Sequence, residues 1–248
     1  MTSESNFADY VRYQRSLELR RRIFHLIVRI LFFVLTRYKV YNRENAPEHG
    51  PLILMINHTD FIDPGAALAA VDRTTVVVAK VETLDNAFFR PFIKMIGAIT
   101  VNRGEADRKA LTGMIRALEA GYSLVLSPEG TRHPEGLAAP REGLVYLATR
   151  TNATVIPVAV SDVRQWNRLL YKGMRGWATV TFGKPFRFKT GGHKRVPRDQ
   201  MEVMMREAMY QLAITLPDPL LRGIYSDIEN ATTDTLEFVD PRTNQPLA

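Results

Sequence analysis

Apolar and polar positions along this chain fall into three regimes. Residues 10–22 mix basic and apolar positions in a pattern that predicts a helix. Ile23–Leu35 (IFHLIVRILFFVL) then forms the most hydrophobic stretch, 13 residues long with His25 and Arg29 inside it. From about Val40 short apolar runs alternate with helical patterns. The runs predict strands at Leu52–Ile56, Thr75–Ala79, Ile99–Val101, Leu124–Leu126, Thr154–Val160 and Ala178–Phe182. Between and after them, helical spacing covers Pro64–Val71, Asn86–Ile96, Glu105–Ala120, Glu142–Arg150 and Asp199–Leu216. Strands alternating with helices predict an α/β domain, a mostly parallel sheet flanked by helices. The last regime, Pro217 to Ala248, is acidic, holds four prolines and has no long periodicity. Its end is expected to be loosely ordered, with Leu220, Leu221 and Ile224 able to pack back on the domain.

These regimes divide the chain into an N-terminal helical membrane-association segment (1–39), a central domain (40–216) and a C-terminal tail (217–248). A spanning helix needs about 20 mostly apolar residues, so the 13-residue run is too short to cross a bilayer. Arg20, Arg21 and Arg22 before it and Arg37 and Lys39 after it are the flanks of a helix lying in a membrane interface. A buried core helix with a basic exposed end is the alternative. The polar first ten residues lack a signal peptide's basic start followed by an apolar core.

Charge sharpens this picture. The chain carries a net +7, and residues 1–39 hold eight basic against three acidic residues. An excess gathered at one end suits an anionic membrane surface or a phosphorylated substrate better than a nucleic-acid groove, and no nucleic-acid-binding module is recognisable. There is no cysteine, which excludes disulfides, thiolate metal sites and a Cys nucleophile.

Four stretches carry candidate chemistry. In Asn57-His58-Thr59-Asp60-Phe61-Ile62-Asp63-Pro64, His58 leaves a buried strand just before a helix for which Asp63 is the expected N-cap and Pro64 the first residue. Ligands of open α/β sheets bind at such strand ends. Five helical residues would hold His58 and Asp63 about 140° apart, but a strand-to-helix turn can fold the carboxylate back onto the imidazole. The carboxylate would then fix one tautomer and leave the other nitrogen as a general base. A surface His beside a capping Asp is the alternative. Gly97 to Gly104 is a short strand ending in Arg103, a residue suited to a phosphate, with a solvated strand-end Arg as the alternative. Ser127-Pro128-Glu129-Gly130-Thr131-Arg132-His133 follows another strand, and such loops can aim N–H groups and an Arg at an anion; an ordinary turn is the alternative. Val155-Ile156-Pro157-Val158 has no reactive group and reads as a wall.

In this order and spacing, Asn57-His58 with Asp63, Gly97–Arg103, Glu129-Gly130-Thr131-Arg132 and Val155-Ile156-Pro157 resemble the four motif blocks of the glycerolipid acyltransferases. Within that family the chain looks most like the bacterial lysophosphatidate (1-acylglycerol-3-phosphate) acyltransferases, over roughly residues 40–190. The resemblance implies an O-acyltransferase on the cytoplasmic membrane face. It would transfer a fatty acyl chain from acyl-CoA or acyl-carrier-protein to a lysophospholipid, with no bound cofactor and no metal. It also implies His58 as general base and Asp63 as its orienting residue. Arg103 would meet the acceptor phosphate, Glu129, Gly130, Thr131 and Arg132 the acceptor, and Pro157 the acyl-donor side.

Asp60 stands where the family usually has a neutral residue, and Ser127 and His133 replace a common aromatic and Ser. These departures bear on the acceptor, which is lysophosphatidate on this reading, with other lysolipids as alternatives. A non-catalytic lipid-binding protein of the same fold and a metal-dependent hydrolase using His58, Asp60 and Asp63 are the competing readings.

Overall fold

The computed structural model describes residues 3–102, 107–163, 172–192 and 196–247. Strand β2 (Leu52–Ile56) is its axis, with every side chain buried. Full burial of such apolar side chains is worth roughly 2 kcal/mol each. On one side β2 pairs in parallel with β6 (Ser123–Leu126), which pairs in parallel with the two-residue β3 (Thr75–Val76). On the other side it pairs in parallel with β7 (Thr154–Ser161). Alternate residues of β2 feed two cores. Ile53 and Met55 pack with α4 (Arg108–Glu119), α5 (Gly143–Thr151) and α6 (Arg198–Thr215), while Leu52, Leu54 and Ile56 pack with α2 (Asp63–Ala70). The expected α/β sheet flanked by helices is therefore present.

Beyond β7 the sheet is mixed. Strand β8 (Gly176–Phe182) runs antiparallel to β7, and β1 (Thr36–Tyr41) lies parallel to β8 at the edge. Periodicity had not predicted β1. Its alternating burial places Arg37 and Lys39 outward, where both cations sit over the Trp177 ring, a charged edge of the kind that discourages further pairing.

The strand expected over Thr75–Ala79 is two strands. After β3 the chain leaves the main sheet, and β4 (Val78–Lys80) pairs with β5 (Ile99–Val101) in a separate ribbon. The helix expected over Asn86–Ile96 is only α3 (Arg90–Met95).

At the N-terminus a single helix, α1 (Ser3–Leu35), replaces the separate stretches read from the sequence. No Gly or Pro interrupts residues 3–35, so nothing ends the helix earlier. Its inner face is partly polar and is held by specific bonds. Buried Arg21 donates to the carbonyls of Ile96 (2.8 Å) and Gly97 (3.2 Å), and Arg29 to those of Ala69 (2.9 Å) and Val71 (2.8 Å). Its outer face leaves Leu19, Ile23, Leu26, Ile27, Ile30, Leu31 and Val34 exposed. No helix among the described residues is long and apolar enough to cross a membrane.

Of the three tail residues expected to pack back, Leu221 is buried while Leu220 and Ile224 are exposed. The end of the tail, expected to be loosely ordered, is tied down instead: Tyr225 is buried, and β10 (Leu236–Phe238) pairs antiparallel with β9 (Phe186–Phe188). The anchor is Glu207 of α6, which accepts bonds from the Thr232 and Thr235 hydroxyls and from the Asp234 and Thr235 N–H groups.

Candidate active site

The site begins where β2 stops. Asn57 is buried, and its side chain continues the ladder to β7, accepting from Val160 N–H (2.7 Å) and donating to Val160 C=O (2.9 Å). These two bonds fix the backbone just ahead of His58, whose side chain is 12% exposed.

From His58 the chain turns sharply into α2. Asp63 was expected as the N-cap; it is instead the first residue of α2, with Ile62 at the cap, and its carboxylate folds back toward His58 as the turn allows. Oδ2 accepts the N–H groups of Thr59 (2.6 Å) and Asp60 (2.7 Å), and the fully buried carboxylate comes within 3.5 Å of His58 Nδ1. The first-turn N–H groups of a helix point toward its start, so an acid at this first position folds back into the turn rather than along the helix. Neither His58 Nδ1 nor Asp63 Oδ1 has a hydrogen-bond partner. The geometry suits an imidazole with its proton on Nδ1 facing the carboxylate, leaving Nε2 free to accept a proton. Asp60 accepts from the Ile62 N–H (3.3 Å), which tightens the same turn.

The loop after β6 closes over this turn. His133 N–H donates to the His58 carbonyl at 2.8 Å. Glu129 is only 3% exposed and accepts from Ala138 N–H at 3.3 Å. Burial pushes its carboxyl up to about 7, with the Ala138 and His58 N–H groups pulling it down and the charge of Asp63 adding to the rise. Gly130 has φ +71°, and a Cβ there would lie 3.0 Å from the Arg141 guanidine, so this tight turn favours glycine.

The structure thus gathers His58, Asp63, Glu129 and Gly130. Thr131 and Arg132 are exposed on the same loop. Pro157 is separate: it is buried within β7 opposite Met55, and its carbonyl accepts from Gly183 N–H at 2.8 Å. There β7 changes partner from β9 to β8, and a strand position without an N–H fits that change. Arg103 lies outside the described residues.

Among the described residues no group of three His, Asp or Glu side chains is placed to hold a metal ion. A cavity of about 240 Å³ opens beside the loop, with Ser127, Gly130 and Arg141 in its wall and Val101, Met114 and Leu144 among its apolar lining.

Two contributions escaped the sequence reading. One is the Asn57 amide, which had no assigned role. The other is the tail. Leu137 donates to Leu221 C=O and accepts from Ile224 N–H, so the segment 219–225 holds the loop that covers Glu129. No periodicity or motif links those two stretches.

A family model described as Acyltransferase matches residues 37–161. The 1-acyl-sn-glycerol-3-phosphate acyltransferase of Bacillus subtilis is 26% identical over 174 residues, covering 70% of this chain and 84% of its own length. The protein of the same name from Streptococcus pneumoniae is 25% identical over 163 residues, 64% of this chain and 60% of its own. The crystal structure of the 1-acyl-sn-glycerophosphate acyltransferase from Thermotoga maritima superposes with a TM-score of 0.59 at 21% identity. It covers 82% of this chain and 85% of that one, a likeness of fold.

Proposed function

Since the chain belongs to the acyltransferase family, we propose that it moves a fatty acyl chain from an acyl thioester to the free hydroxyl of lysophosphatidate, giving phosphatidate. The observation that carries this reading is the His58–Asp63 pair, 3.5 Å apart at the end of the central strand and inside the family-matched region. The names of the Bacillus and Streptococcus relatives support the choice of acceptor.

His58 Nε2 takes the proton of the acceptor hydroxyl while Asp63 holds the imidazole in the required tautomer and stabilises the imidazolium. The alkoxide attacks the thioester carbonyl, forming the C–O bond and a tetrahedral oxyanion. As that collapses, the C–S bond breaks and His58 returns the proton to the leaving thiolate. Arg103 and Arg132 meet the acceptor phosphate. Glu129 and Gly130 shape the loop that presents Thr131 and Arg132, and Pro157 lies on the donor side. Acyl-CoA or acyl-carrier-protein is the donor, and no cofactor is bound.

Both lipid substrate and product reside in a bilayer, so the protein works as a peripheral enzyme at the cytoplasmic membrane face. Support comes from the exposed apolar side of α1 and its flanking arginines. A second apolar surface leads from α1 to the catalytic turn, through the successive ring contacts Phe24–Phe92–Phe88–Phe89–Phe61.

The test is transfer of a radiolabelled acyl group to lysophosphatidate and two other lysophospholipids, from each donor type, by wild type and His58→Ala. Turnover lost in the variant supports the reading. Folded wild type inactive with every pair would favour a non-catalytic lipid-binding protein.

A further inference from the structure

A second cavity, of about 680 Å³, lies at the opposite end of the sheet from His58. Its floor comes from turns that precede strands: Gly50 before β2, Asp72–Thr74 before β3 and Gly121 before β6. The length of β2 alone, five residues at about 3.3 Å each, separates it from His58 by roughly 17 Å. Its wall is α1.

The charge in this cleft is unevenly compensated. Arg15, Arg22 and Arg29 enter it from α1 at seven-residue spacing, so they share one stripe of the helix. Arg29 is paired with Asp72 at 3.0 Å, and Arg43 binds the same carboxylate. Glu18 accepts the Tyr122 hydroxyl at 2.8 Å and stands 4.0 Å from Arg22, while Glu48 is exposed at the rim. Arg73, in the floor, donates to the carbonyls of Pro47, Gly50 and Gly121. Among the described residues no carboxylate pairs with Arg15 or Arg73. His25 lines the same wall at 8% exposure, and its Nε2 has no hydrogen-bond partner.

What borders the cleft decides what it takes. Leu26 is exposed and lines the cavity, and it also belongs to the apolar stripe of α1 with Leu19, Ile23 and Ile30. An anion seated beside Arg15 and Arg22 therefore sits at the margin of an apolar face. That is the arrangement of a phospholipid, with its phosphate in the basic cleft and its chains alongside Leu26 and Ile30.

We propose that this cleft binds the phosphate of an anionic phospholipid headgroup, a site separate from the active site. The inference rests on the membrane reading given above and adds to it a defined headgroup position.

The test uses the full chain and cosedimentation with two kinds of vesicle, phosphatidylcholine alone and phosphatidylcholine mixed with phosphatidylglycerol. Arg15→Ala/Arg22→Ala is compared with Arg12→Ala/Arg20→Ala, which removes the same charge from exposed α1 positions outside the cleft. All four arginines are exposed, and circular dichroism checks each fold. Loss of diffuse attraction should weaken binding to anionic vesicles about fivefold per arginine in both variants. The cleft variant is expected to lose about tenfold more, with no added loss on neutral vesicles.

Equal losses in the two variants would overturn the headgroup site and leave the membrane reading standing. Wild type that binds neither vesicle would overturn both. If inorganic phosphate titrates the His25 ring resonance while vesicle composition has no effect, the cleft belongs to a soluble phosphate and the lipid assignment falls.

Discussion

Oδ2 of Asp63 lies 3.5 Å from Nδ1 of His58, but its shorter bonds, 2.6 and 2.7 Å, go to the backbone N–H groups of Thr59 and Asp60. The carboxylate is therefore positioned by the turn, and the imidazole is positioned against the carboxylate. An acid held this way keeps its place whether the imidazole is neutral or protonated, as a residue that stabilises a transient imidazolium must.

This relationship predicts that Asp63→Asn and Asp63→Ala fail differently. Both should lose acyl transfer by a factor on the order of 10²–10⁴, the contribution of a working general base. Asp63→Asn keeps one carbonyl acceptor for the turn, so its stability should change little. Asp63→Ala strands two N–H groups and should also lose about 2 kcal/mol or more in denaturant unfolding. Equal activity of Asp63→Asn and wild type would remove Asp63 from the chemistry.

Glu129 carries a pH signature. Its carboxyl is held up to about 7 by burial, against 4.5 for the ordinary group. In the unfolded chain it ionises first, so between pH 4.5 and 7 the folded state binds the extra proton and stability falls as pH rises. Above pH 7 the buried charge costs about 3 kcal/mol relative to the unfolded chain. Glu129→Gln should flatten that slope in denaturation curves taken from pH 4.5 to 8. A variant whose stability keeps the wild-type pH dependence would place the titration elsewhere.

The parts of this molecule that were legible in the sequence are those where one stretch carries its own signal. The all-apolar β2 between Gly50-Pro51 and Asn57 reads as a buried strand, and His58 with Asp63 reads as a turn able to bring acid to base. What was not legible is that the shorter bonds of Asp63 go to the Thr59 and Asp60 N–H groups, because a strand-end acid before Pro64 has the same sequence whether it caps the helix or is held by the turn. Edge strand β1 carries outward Arg37 and Lys39, so its alternation has only half an apolar face to show. The tail escaped because its anchor, Glu207, lies in another element, and a buried carboxylate satisfied by hydroxyls and N–H groups leaves no local pattern.

The tail's grip on the active-site loop can be tested at Gly223. Its φ is +53°, and a Cβ there would stand 2.1 Å from the Leu137 carbonyl oxygen, a backbone atom with no easy way to retreat. Gly223→Ala should destabilise the protein by about 1–3 kcal/mol, speed hydrogen exchange at Leu137 N–H and lower acyl transfer. Gly192→Ala is the control, since Gly192 also has positive φ but has open space where its Cβ would go. It should lose no more than about 1 kcal/mol and leave activity alone. Matching losses in the two variants would mean that backbone strain alone explains Gly223, with no clamp on the loop.

Glu207 gives the tail a dependence on acid. Burial pushes its carboxyl up, but the Thr232 and Thr235 hydroxyls and the N–H groups of Thr235 and Asp234 outweigh it and leave the group below its usual range. Its contribution is then complete above the ordinary carboxylate range and is lost as pH falls through the lowered folded value. Glu207→Gln removes the charge from all four bonds, and charge-assisted bonds are roughly twice as strong as neutral ones. The variant should lose about 2–4 kcal/mol at pH 7, and the N–H groups of Asp234 and Thr235 should exchange faster than those of β2. In acid, wild type should come to resemble the variant. Unchanged protection at Thr235 in Glu207→Gln would instead assign the tail's order to the β9–β10 pairing alone.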